Sequence, residues 1–165
     1  MRLVPGLRPI AHQFRRCLAT SSTSSSPAES AKTKVEWKGL LGRELYQGTT
    51  VLRLILHDPK RRNSLSLEML QELHRELKDV ARIQKIRSVI LAAEGPAFSA
   101  GHDLRELQTR ENAVQEHRKI FDECAQLMQF IQSMPVPVIA EVNGVAAAAG
   151  CQLVASCDIV VASDS

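Results

Sequence analysis

The strongest constraint on how this chain can fold is a repeated alternation: short apolar runs closed by breakers take turns with segments of helical period. Residues 50–57 (TVLRLILH) form an apolar run closed by Asp58-Pro59, the pattern of a buried strand. Residues 87–93 (RSVILAA), closed by Glu94-Gly95-Pro96, predict a second strand, residues 138–142 a third and residues 157–162 (CDIVVA) a fourth. Between the first two, Leu67, Leu70, Leu73, Leu77 and Val80 recur at spacings of three and four behind Ser66, a side chain suited to cap a helix. Between the second and third, Val114, Ile120, Phe121, Cys124, Leu127, Met128 and Ile131 mark a longer amphipathic helix that ends before Pro135 and Pro137. Strands separated by helices imply crossover connections, and so an α/β fold with a parallel sheet covered by helices. Residues 36–48 predict an irregular first strand, and residues 60–63 a polar turn. Periodicity of this kind does not separate such a fold from a dinucleotide-binding one.

The charge is unevenly placed. Residues 1–34 hold Arg2, Arg8, Arg15, Arg16, Lys32 and Lys34 against Glu29 alone; setting these aside from 21 basic and 18 acidic residues leaves 15 against 17. The body is therefore slightly acidic and gives no footprint for nucleic acid. The tail, Arg-rich and running into a Ser/Thr tract at residues 20–26, has the composition of a mitochondrial transit peptide; a disordered extension without an address is the alternative. Residues 1–35 are thus expected to be leader and tail, and residues 36–165 the folded part. No apolar run approaches the roughly 20 residues of a membrane helix. Cys17 lies in the tail, and Cys124, Cys151 and Cys157 lack CxxC spacing or paired histidines, so no metal site is expected.

Two segments place small residues between a strand and a helix start: residues 97–104 (AFSAGHDL) and residues 143–152 (NGVAAAAGCQ). Small side chains let a ligand reach the backbone. Helix beginnings offer unpaired N–H groups, and two converging on one oxygen would stabilise an oxyanion. Asp103, with Glu106 three residues on, predicts a capping box that opens a helix. The alanine run after Asn143-Gly144 reads as a helix opening rather than a strand. Neither loop is a GxxxxGK[ST] or GxGxxG phosphate loop.

AFSAGHDL, followed some forty residues later by PVPVIAEVNGVAAAAGCQLVASCDIVVAS, is similar to the signature pair of the crotonase (enoyl-CoA hydratase/isomerase) superfamily, and DPKRRNSLSLEML resembles the segment opening its first long helix. The match covers roughly residues 50–165. The resemblance implies a spiral of ββα turns, of which this chain is the front half, and trimers or paired trimers in full-length relatives. It implies an acyl-CoA thioester as substrate or ligand, with no separate cofactor, in mitochondrial fatty-acid metabolism. By the motifs, the oxyanion is held by the backbone N–H groups of His102 and Ala149. The ligand is expected against Ala100, Gly101, Asp103, Leu104, Arg105 and Gly150, with Arg105 toward the phosphates and residues 60–62 as weaker candidates for that role.

The pattern departs from the family at one catalytic position. Where hydratases of the family carry the first of two glutamates, this chain has Gln152, whose amide can orient a water but cannot exchange a proton near neutral pH. The position of the second glutamate falls past Ser165. Glu141 and Asp158 read as structural hydrogen-bonding acids. Three functional readings stay open: an acyl-CoA enzyme using the two N–H groups, an acyl-CoA-binding pseudoenzyme, and a truncated product with an exposed inner surface.

Overall fold

The computed structural model describes residues 34–46, 50–108 and 113–164. Eight strands and three α-helices follow one another as β1 (Glu36–Lys38), β2 (Leu41–Leu45), β3 (Val51–Leu56), α1 (Leu67–Ala81), β4 (Ser88–Ala93), β5 (Ala97–Ser99), α2 (Ala113–Gln132), β6 (Val138–Val142), β7 (Val145–Ala146), α3 (Ala149–Ala155) and β8 (Ile159–Ala162). Six strands make one sheet in the order β1-β2-β3-β4-β6-β8, and β5 pairs with β7 in a small second sheet.

The expected parallel sheet is present from β3 to β8, in register Leu54↔Leu91 and Leu91↔Ala140. Its front end corrects the expectation. The irregular first strand of residues 36–48 is two strands, and β1, β2 and β3 run antiparallel. The connections are too short for a crossover, and Gly39, at φ 58°, supplies the left-handed turn between β1 and β2.

Ser66 caps α1 by accepting the Met69 N–H at 3.2 Å. Leu70, Leu73, Leu77 and Val80 then face the sheet, each at most 1% exposed. The α2 stripe buries Ile120, Cys124, Leu127, Met128 and Ile131, while Val114 and Phe121 face outward. Residue 121 lies about 100° around the helix from residue 120, off the buried stripe. Helices and sheet close one core with Leu52, Leu54, Leu56, Val89, Leu91 and Val138. Burying a side chain of this size stabilises by roughly 1.5–3 kcal/mol.

The sheet is not covered on every side. All four residues of β8 are exposed, Ile159 and Val161 by more than half. On the face away from the core, Arg53 bridges Glu141 with a bidentate pair at 2.9 and 2.6 Å and reaches Glu44 at 3.2 Å. Glu141 therefore has the structural role expected of it. Asp158 does too, accepting the Val138 N–H at 2.8 Å. No helix of the described residues is long and apolar enough to cross a membrane.

Candidate functional site

The site lies where the turn after β3 meets the loops after β5 and β7. Residues 59–61 make one 3-10 turn, and the chain then passes through two left-handed residues, Arg62 (φ 52°) and Asn63 (φ 51°). Asn63 is fully buried and holds the turn in place. Its side chain accepts from the Asp58 N–H at 2.8 Å and donates to the carbonyls of Glu94 and Ala97 at 2.8 and 2.9 Å. Ser99, also fully buried, donates its hydroxyl to the Asn63 carbonyl at 2.8 Å and accepts the Gly101 N–H at 3.2 Å. Ala100 N–H donates to the Arg62 carbonyl at 2.9 Å, and Leu65 N–H to the Gly101 carbonyl at 2.7 Å. The basic turn and the first small-residue loop are thereby stitched side by side.

The second loop docks on the first. Val145-Ala146 does not open a helix as expected but pairs with β5, and the Ala147 N–H donates to the Ser99 carbonyl at 2.9 Å. Strand pairing outweighs the helix preference of alanine here, and α3 begins only at Ala149. The approach is close enough to require glycine. A β-carbon on Gly150 would lie 2.6 Å from the Ser99 carbonyl oxygen. One on Gly101, where φ is 88°, would lie 2.9 Å from the Ala147 oxygen, 3.0 Å from the Ala148 β-carbon and 3.3 Å from the Ala149 nitrogen. Ala148 adopts φ 47° and ψ −119° to make this turn. The turn's backbone hydrogen bonds use the N–H groups of Ala147, Gly150 and Gln152; among the described residues those of His102 and Ala149 have no protein acceptor.

The side chains around the first loop differ from expectation in one respect. Leu104 to Leu107 form a turn, not a helix, and there is no capping box. Asp103 accepts the Arg105 N–H at 3.0 Å and pairs with the Arg105 guanidinium at 3.0 and 2.6 Å. Glu106 turns away and accepts the Leu67 N–H at the start of α1, at 2.8 Å. The Arg105 guanidinium holds the Asp103 carboxyl below the usual carboxylate range, and Asp103 in turn raises the Arg105 pKa. Arg105 thus carries a half-satisfied charge, its side chain still 58% exposed.

A cleft of 370 Å³ runs between the two segments, lined among others by Lys60, Arg61, Ser64, His102, Asp103 and Arg105. Ala100 and Leu104 sit exposed along it, and Gly101 is buried beneath. The His102 ring meets Phe121 of α2 edge-on, with centroids 5.1 Å apart. Gln152 is exposed on α3, and Gly150 is buried against Ser99. The supporting roles of Asn63, in the polar turn, and Ser99, in the first loop, are not legible in the sequence. An Asn in a polar turn ahead of a cap hints at a left-handed residue, but nothing local reveals that its amide ties three segments.

Against known proteins, the family model described as enoyl-CoA hydratase/isomerase matches residues 46–165. The chain is 52% identical over 120 residues to the Xenopus laevis protein named enoyl-CoA hydratase domain-containing protein 3, mitochondrial, covering 73% of this chain and 40% of that one. To the Homo sapiens protein of the same name it is 46% identical over 141 residues, covering 86% and 45%. The crystal structure of human enoyl Coenzyme A hydratase domain-containing protein 3 superposes with a TM-score of 0.71 at 47% identity, over 76% of this chain and 49% of that one. An enoyl-CoA hydratase of Mycobacterium smegmatis gives 0.68 at 43% identity, over 76% and 48%. The chain spans about half the length of the relatives it matches.

Proposed function

Since the chain belongs to the enoyl-CoA hydratase/isomerase family, we propose that it binds an acyl-CoA thioester across the contact of its two small-residue loops, with the N–H groups of His102 and Ala149 donating to the thioester oxygen. One observation carries this reading: the loops touch at Gly101 and Ala149, and the N–H groups of His102 and Ala149 flanking that contact lack acceptors among the described residues. Two fixed donors aimed at an oxygen that gains charge stabilise an enolate without reorganisation, and losing one such donor costs about 3 kcal/mol of barrier. The nucleotide end would lie in the adjoining cleft, against Lys60, Arg61 and the free side of Arg105. The relatives' names carry the word mitochondrial, which supports action in the mitochondrion; we place that action in fatty-acid metabolism, with residues 1–35 as leader and tail, of which 1–33 lie outside the described residues.

A second reading, an acyl-CoA binder without hydratase activity, is favoured by Gln152, since an amide cannot serve as the acid or base of hydration. Calorimetry with octanoyl-CoA tests the shared premise: no binding heat from a folded sample removes both readings. A hydration assay on crotonyl-CoA, repeated with Gln152→Glu, then separates them. Turnover by the wild type supports the enzyme. Binding without turnover supports the binder.

A further inference from the structure

We infer that the Ser64 hydroxyl is a ligand-binding group of the cleft, donating a hydrogen bond to a phosphate oxygen at the nucleotide end of CoA; this rests on the acyl-CoA reading above. Ser64 is buried, at 8% exposure, yet its Oγ has no hydrogen-bond partner among the described residues. Its backbone is satisfied: the N–H donates to the Arg61 carbonyl at 3.2 Å, and the carbonyl accepts the Ser66 N–H at 2.9 Å. The side chain alone is unpaired. A buried hydroxyl without a partner is less favourable than the alanine methyl that would fill the same space, so nothing in the fold itself calls for serine here.

The surroundings point to an anion. Ser64 lines the cleft between Lys60 and Arg61 on its own turn and Arg105 across from it. The acids nearby are partly spent: Asp103 holds one side of Arg105, and Asp58 reaches Arg61 at 3.5 Å. Lys60 pairs with no acid among the described residues. A phosphate oxygen only accepts hydrogen bonds, and a hydroxyl beside cations is a matched donor. Oγ makes no hydrogen bond, so a change of χ1 on ligand binding breaks none. Among the described residues, four buried side-chain atoms lack hydrogen-bond partners, and a second of them, His102 Nδ1, belongs to a residue lining this same cleft. The basic turn then does more than supply charge, because Ser64 adds a directional contact that reads the phosphate's position.

The test uses the full chain, with CoA and adenosine 3′,5′-bisphosphate as probes. Dissociation constants for both are measured by calorimetry in the wild type and Ser64→Ala, together with each protein's melting midpoint without ligand. The inference expects both ligands to bind Ser64→Ala roughly tenfold more weakly, the scale of a hydrogen bond to a charged group. The ligand-free midpoint is expected to be unchanged or higher, since an unpaired hydroxyl is removed. Equal affinities in the two proteins overturn the inference and leave the acyl-CoA reading standing. So does a loss seen with CoA but not with the bisphosphate, or an affinity loss that comes with a lowered midpoint, which marks a merely structural serine. Failure of the wild type to bind CoA overturns both.

Discussion

Gly101→Ala is the substitution that most directly probes the contact between the loops. Two costs add. An L-residue at φ 88° stands in the left-handed half of backbone space, a penalty of about 1–2 kcal/mol. The new methyl would also meet the Ala147 oxygen at 2.9 Å, the Ala148 β-carbon at 3.0 Å and the Ala149 nitrogen at 3.3 Å. These atoms are backbone or fixed to it, so no side-chain rotation relieves them. Overpacking of this kind costs roughly 1–3 kcal/mol. A total of about 2–5 kcal/mol lowers the melting midpoint of a chain this size by roughly 5–15 °C. Because the loops must part at Ala149 itself, affinity for octanoyl-CoA should fall as well. Gly39→Ala is the control. Its φ of 58° imposes similar strain in the β1–β2 turn, but the atoms it would meet belong to the flexible Glu72 side chain. That variant should lose some stability and keep its ligand affinity. Thermal denaturation and calorimetry on both proteins decide the matter. A wild-type midpoint for Gly101→Ala would mean that the loops do not touch, and the oxyanion argument would go with them.

The other expectations concern strain, charge, thiols and the sheet edge. Ala148→Gly should raise the midpoint slightly: relief of the strained φ of 47°, about 1–3 kcal/mol, exceeds the backbone entropy glycine adds, about 0.4–1 kcal/mol; a lowered midpoint refutes the strain. Arg105 depresses the Asp103 pKa below 3.8 in the folded state, so the folded protein binds fewer protons there. That contribution is present above the unfolded value and is lost as pH falls through the folded one. Midpoints measured from pH 5 down to pH 2 should therefore fall less steeply in Asp103→Asn than in the wild type; parallel slopes contradict this. Burial, helped by Asp158, pushes the Cys157 thiol up to about 12, and burial also raises Cys124, whereas Cys151 is exposed. Iodoacetamide at neutral pH with peptide mapping should label Cys151 well ahead of both, and comparable labelling of Cys157 would count against its burial. The open edge at β8 predicts self-association. Val161→Lys, opposite Glu141, should reduce concentration-dependent light scattering with little change in midpoint.

What could be read from the sequence was whatever repeats at short range. The runs that became β3, β4, β6 and β8 and the stripes that became α1 and α2 announce themselves within a single window, because burial on one face imposes a period. The two glycine-bearing loops were legible through their composition and spacing. The errors fall where a partner from elsewhere in the chain overrides a local preference. Ala146 is a strand residue because β5 lies beside it, and Glu106 abandons its own turn because the Leu67 N–H, 39 positions away, needs an acceptor. The antiparallel front of the sheet is hidden in the sequence because strand direction is set by connection length, and β1 and β2 are too short to show separate periods.

The distribution of backbone strain argues that the cleft is built rather than incidental. The described residues hold three non-glycine positions with positive φ: Arg62 and Asn63 in the turn that lines it, and Ala148 in the loop that docks on Gly101 beside it. Each costs of order 1–3 kcal/mol and persists only where the surroundings over-determine it. The compensation is visible at Asn63, whose side chain makes three hydrogen bonds and whose carbonyl takes a fourth from Ser99. At about 1 kcal/mol net for each, these bonds roughly offset the strain of two left-handed residues. Ala148 has no comparable anchor, and its side chain is exposed. What holds it is the docking of Ala147 on Ser99 and of Gly150 against the same residue. None of the three residues belongs to the apolar core; Asn63 is buried instead among the hydrogen bonds it makes. Strain kept in place by dedicated hydrogen bonds, beside two unpaired N–H groups, is what a preorganised binding site requires.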